Sequence, residues 1–149
     1  MSTFSALYYH LVWSTKDRIP HISEKIEEQL YKYIFGIMKN KDVHLIQIGG
    51  IEDHIYMLIR VSPDNNLATL VKDIKVSTTK FIKTNYNVAT EFSWQRGYGI
   101  FSVSKSMTDQ VKEYILKQKE HHANKSFVDE YIGFLQKHSV EYDEKYIFS

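Results

Sequence analysis

Apolar and polar positions along the chain alternate in two different rhythms, and the change from one to the other marks out the elements. Residues 4–13 are rich in Tyr, Leu, Val and Trp and end at Ser-Thr-Lys-Asp-Arg-Ile-Pro, which reads as a first strand followed by a turn. From Ser23 the spacing of Ile26, Leu30, Tyr33, Ile34 and Ile37 follows the helical period and predicts a helix capped by Ser23 that ends near Asn40. Residues 43–48 and 54–61 are two β-rich runs joined by Gly49, Gly50, Ile51, Glu52 and Asp53, a connection of hairpin length. After Pro63, Asp64 and Asn65, a stripe of Leu67, Leu70, Val71, Ile74, Thr78, Phe81 and Ile82 predicts a second long helix. Residues 97–104 form a fourth strand, and Ser106 opens a third helix running through Val111, Ile115 and Gln118. One more helix is expected over residues 126–138, with residues 140–148 as an extended tail.

This order matches the ferredoxin-like α+β arrangement, an antiparallel sheet with helices on one face, here followed by a C-terminal tyrosine-bearing helix. In the third strand Ile55, Met57, Ile59 and Val61 share one side and must face the helices. His54 and Tyr56 share the other side, on a face expected to stay open, where the pattern requires no packing of them. In the third helix Tyr114 and Gln118 stand one turn apart on one face, with His121 and His122 a turn further on.

Composition narrows the chemistry. At 149 residues the chain is expected to form one domain, residues 1–149, and its 43% hydrophobic and 25% charged content is that of a folded protein. Cysteine is absent, which excludes disulfides, thiolate zinc clusters and thiol nucleophiles, so a metal would need His, Asp, Glu, Gln or Tyr. Nineteen Lys plus Arg stand against 18 Asp plus Glu, so any basic surface must be local. Eleven tyrosines and eight phenylalanines suit core packing first, and stacking on unpaired bases second. No basic leader precedes the N-terminal apolar run and no apolar stretch reaches about 18 residues, so the expectation is a soluble, cytoplasmic protein without a membrane partner.

The segments LYYHLVWSTKDR, IGGIEDHIYMLIRV, IKVSTTKFI, SWQRGYGIFSVS and VKEYILKQKEHH, in this order, closely resemble the single-tyrosine HUH transposases of small bacterial insertion sequences and their REP-associated relatives. The likeness runs from Tyr8 to His122, and the stretch from Trp94 to Val103 is its most specific part. The resemblance implies a DNA transposase that cleaves and rejoins single-stranded DNA at hairpin-bearing ends, with Tyr114 as nucleophile forming a 5′-phosphotyrosine and freeing a 3′ hydroxyl. It implies magnesium or manganese held by His54, position 56 and Gln118. A phenol with a pKa of about 10 needs such an ion to balance charge on the phosphate.

Position 56 departs from the family's His-hydrophobic-His pattern, because Tyr56 stands where the second histidine is expected. A neutral phenol is a poor ligand; Glu52, Asp53 and His122 are neighbours able to compensate. For DNA contact, Lys72, Lys75, Lys80 and Lys83 fall on the polar side of the second helix, and Arg18 and Arg96 sit in loops beside the sheet. Relatives work as homodimers, in which the tyrosine helix acts on its own chain's metal residues or its partner's.

Three functions follow. The first is the metal-dependent strand transferase, and the second a cleavage-impaired relative that holds a DNA hairpin, motivated by Tyr56. The third is an unrelated sheet-faced RNA-binding domain, which predicts a preference for RNA and no covalent intermediate.

Overall fold

The computed structural model describes residues 2–86, 91–121 and 125–148. Four strands, β1 (Leu7–Ser14), β2 (His44–Ile51), β3 (His54–Val61) and β4 (Gly99–Val103), form one antiparallel sheet in the order β2-β3-β1-β4. This is the ferredoxin-like order. Leu7 stands opposite Val61 and Ser14 opposite His54, so β1 and β3 pair along their whole length at the sheet centre. β1 begins three residues later than the sequence suggests, and Phe4, beyond the reach of β3, is 93% exposed.

On one face of the sheet lie α1 (Glu24–Asn40) and α2 (Leu67–Asn85). Ile26, Leu30, Ile34 and Met38 of α1, and Leu70, Val71, Ile74 and Ile82 of α2, pack on Leu11, Trp13, Ile55, Met57 and Ile59. The first helix starts at its expected cap, the Ser23 hydroxyl accepting the Ile26 N–H, and the second at Asn66, whose side chain accepts the Thr69 N–H.

The opposite face is not open. It is covered by α3 (Thr108–Leu116), the short α4 (Gln118–His121) and α5 (Phe127–Lys137). Val12, Tyr56, Leu58 and Phe101 of the sheet pack there on Ile115 of α3 and on Phe127, Tyr131 and Leu135 of α5. The physical reason lies in the strands themselves: β3 is apolar on both sides, and an uncovered second face would leave that surface in water. His54 and Tyr56, expected on an open face, are therefore fully buried.

Three local expectations change with it. The β2–β3 connection is tighter than five residues, because Gly49, Gly50 and Ile51 continue β2 and only Glu52 and Asp53 turn. Gly49 permits a close approach: a Cβ there would stand 2.5 Å from the Ile115 carbonyl oxygen, so α3 lies directly on the strand backbone. The third helix is not continuous to Gln118; it ends at Leu116 with Lys117 as its cap, and the chain restarts as α4. The tail is not extended throughout, since Glu144–Tyr146 form a helical turn capped by the Asp143 side chain. Among the described residues, no helix is long and apolar enough to cross a membrane.

Candidate active site

Four residues singled out from sequence, His54, Tyr56, Tyr114 and Gln118, meet in the layer between the sheet and α3–α5. The turn before β3 is fixed first, because the Asp53 carbonyl accepts the Thr15 N–H at 2.8 Å and the Glu52 carbonyl accepts the Ile22 N–H at 2.9 Å. That places Asp53 Oδ1 2.7 Å from His54 Nδ1. A carboxylate only accepts, so this nitrogen carries a proton. Asp53 is thus an orienting group behind the imidazole. Glu52 is exposed to solvent. His122 lies outside the described residues.

Gln118 faces the other ring nitrogen, Nε2. Its Nε2 donates to the Tyr114 carbonyl at 3.2 Å and to Glu130 Oε1 at 3.5 Å, and these two acceptors fix which way the amide points. The amide oxygen is therefore the atom 3.1 Å from His54 Nε2. The two atoms stand at hydrogen-bond distance, and with Nε2 deprotonated both would turn a lone pair toward one point. Ligand atoms on one octahedral magnesium or manganese ion, at about 2.1 Å each, stand about 3 Å apart. The pair fits such an ion. Among the described residues no group of three or more His, Cys, Asp and Glu is placed to hold a metal ion.

Tyr114 is half-buried on α3, and its ring stacks on Tyr56 with centroids 6.0 Å apart and an interplanar angle of 18°. Tyr56 in turn lies 5.0 Å from the His54 ring. Burial, then the Glu130 carboxylate, hold the Tyr56 phenol well above its ordinary value, so it keeps its proton and is poorly suited to ligate as a phenolate. Burial also raises Glu130, against the opposing pull of Tyr56 and His54. The site is roofed by α5, whose Phe127 ring stacks on His54 at 4.5 Å. Sequence reasoning passed over Glu130 and Phe127. The signal was a lone carboxylate on the apolar face of α5, between Phe127, Tyr131 and Phe134.

The basic residues divide. Lys72, Lys75, Lys80, Lys83 and Arg96 line one cleft of about 750 Å³ between α2 and the 93–98 segment, over Trp94 and Tyr98. Lys75 is engaged within it: its Nζ donates to the carbonyls of Gln95 at 2.9 Å, Arg96 at 3.2 Å and Gly97 at 2.6 Å. Desolvation lowers it to about 8. The segment is tied down further by Trp94 Nε1 donating to Thr78 Oγ1 at 2.8 Å and by the Ser14 N–H donating to Gln95 Oε1 at 2.8 Å. Arg18 stands elsewhere, with its guanidinium 4.3 Å above the Phe148 ring. Because Ser14 pairs with His54 across the sheet, the cleft and the His54 site flank the same strand end from opposite faces.

Comparison with known proteins gives the family and the fold. Residues 3–118 match the sequence profile of the family described as "Transposase IS200 like". The chain is 24% identical over 119 residues to the ISDra2 transposase TnpA of Deinococcus radiodurans, covering 76% of this chain and 85% of that protein. Its fold is similar to the crystal structure of a candidate transposase from Deinococcus radiodurans R1, with a TM-score of 0.67 at 20% identity, over 79% of this chain and 95% of that one. It is similar also to a REP-associated tyrosine transposase bound to a REP hairpin, with a TM-score of 0.63 at 12% identity, over 82% and 74% of the two chains.

Proposed function

Since the chain belongs to the IS200-like transposase family, we propose that it cleaves and rejoins hairpin-bearing single-stranded DNA through Tyr114. The observation that carries this reading is the double role of Gln118, whose amide binds the carbonyl of the nucleophile's own residue and turns its oxygen to His54. Nucleophile helix and cation pair are thereby locked to one another within a single chain.

In the proposed step the Tyr114 phenol oxygen bonds to phosphorus and the bond from phosphorus to the 3′ oxygen breaks. The phenol's proton ends on the departing 3′ oxygen, leaving a 5′-phosphotyrosine and a free 3′ hydroxyl. The phosphodiester is conserved in kind, so the 3′ hydroxyl of another strand end can reverse the step and rejoin. His54 and Gln118 would hold a magnesium or manganese ion, which supplies polarisation of the phosphate and offsets its developing charge. Asp53 keeps the His54 tautomer that offers a lone pair. The lysine cleft is suited to hairpin phosphates, and its shared strand end with His54 gives a strand a short path around the end of the two central strands. A soluble homodimer is part of this proposal, each chain contributing one complete site.

The deciding experiment incubates the protein with hairpin-bearing single-stranded DNA and manganese, then weighs the denatured protein. An added DNA mass that Tyr114→Phe abolishes is the expected result. One observation favours a second reading, a hairpin-binding protein that no longer cuts: Tyr56 occupies the second histidine position, and His54 and Gln118 are only 0% and 1% exposed. On that reading the wild type forms no adduct, binds the hairpin, and gains cleavage with Tyr56→His.

A further inference from the structure

We propose that Glu130 is the third protein ligand of the divalent-cation site, supplying a carboxylate oxygen where position 56 lacks an imidazole. The inference rests on the reading that His54 and Gln118 hold the ion. Three observations support it. Glu130 Oε1 accepts from the Gln118 amide nitrogen at 3.5 Å, so the carboxylate lies in the same buried layer, against the amide whose oxygen meets His54 Nε2. The side chain is buried, 4% exposed, which holds it in that layer rather than in solvent. Its place is fixed by α5, whose start is set by the Ser126 cap and by Phe127 stacking on the His54 ring at 4.5 Å.

Tyr56 fits the same arrangement. Its buried hydroxyl lies next to Glu130 and its ring fills the position between His54 and Tyr114, where a smaller imidazole would leave room. The resulting donor set is one imidazole nitrogen, one amide oxygen and one carboxylate oxygen. Compared with two imidazoles and an amide, it exchanges a nitrogen for a hard, charged oxygen and so favours magnesium and manganese over softer ions.

The test is manganese binding to the full-length protein without DNA, read by loss of the free-ion EPR signal, in the wild type, Glu130→Gln, His54→Ala and the double variant Tyr56→His/Glu130→Gln. Glu130→Gln should weaken binding by about tenfold or more, and the double variant should recover most of that loss by restoring an imidazole. Unchanged affinity in Glu130→Gln together with loss in His54→Ala overturns the role of Glu130 and leaves the parent reading standing. No binding by the wild type at millimolar manganese, or equal binding by all four proteins, overturns both. Should Glu130→Gln fail to fold, carbon-13 spectra of the wild type decide: selective broadening of the Glu130 carboxyl by substoichiometric manganese is expected, and a sharp signal refutes the assignment.

Discussion

Lys75 shows how one side chain can matter to the proposed binding surface without touching what is bound. Its ammonium is held by three backbone carbonyls of residues 95–97 and lies 5.4 and 5.6 Å from the Trp13 and Tyr98 ring centres. With its donors committed, Lys75 shapes the wall that carries Arg96, whereas Lys80 and Lys83 are exposed on the same cleft and available to phosphate. The two kinds of lysine separate in salt titrations of hairpin binding. Lys80→Gln should lower the slope of log affinity against log salt by about one phosphate's worth. Lys75→Gln should weaken binding at every salt concentration and leave the slope unchanged. A reduced slope for Lys75→Gln would instead make it a phosphate contact. The four lysines were legible as one helix face because their spacing is local. The partners of Lys75 lie about twenty residues away, in a loop whose path no periodicity records.

At the scale of elements, the contact between β2 and α3 decides where Tyr114 stands. Gly49 has no side chain, and the Ile115 carbonyl oxygen occupies the space a Cβ would need. Gly49→Ala must push α3 off the strand and carry Tyr114 and Gln118 with it. The expected result is a loss of about 1–3 kcal/mol in urea unfolding, typical of forcing a methyl into a close-packed contact. The loss of DNA adduct should be larger than that destabilisation explains. An adduct yield equal to wild type in a folded Gly49→Ala protein would show that α3 is free to relax. The same contact marks the limit of the sequence. Strand alternation put Ile55, Met57 and Ile59 on one side and His54 and Tyr56 on the other, and the structure keeps that division. Burial of the second side depended on α3 and α5 folding back over it. Their periodicity showed helices with apolar faces and not which surface those faces would cover. Leu58, Val12 and Phe101 on the supposedly open face were the visible clue. Gln118 was read correctly as a neighbour of Tyr114, although a helix break, not a continuous turn, brings it there.

For the whole molecule, closure of the second layer has a pH signature centred on His10. This residue is 5% exposed on β1, its ring edge-on to Tyr56 and Phe134 at 5.2 Å each. Desolvation, then the neighbouring His138 and Lys137, lower it to about 4. The native protein therefore holds His10 neutral, while the unfolded chain binds a proton near the ordinary histidine value of about 6.5. Between those two values the unfolded state carries more protons, so stability falls as pH drops from about 6.5 toward 4 and is unaffected by His10 above that window. The difference in affinity for the proton corresponds to about 3 kcal/mol over the full range. Glu130 acts in the opposite sense, because burial raises its carboxyl and native stability gains as it is protonated. The wild-type curve thus mixes the two, and the difference between variants isolates His10. Replacing His10 with Phe keeps a ring between Tyr56 and Phe134 and removes an Nε2 atom that has no hydrogen-bond partner among the described residues. Urea midpoints measured from pH 7 to pH 4 should fall less steeply for His10→Phe than for the wild type, with the two curves parallel above pH 7. Equal slopes across pH 4 to 6.5 would mean that the layer formed by α3 and α5 opens and hydrates His10 before the sheet unfolds.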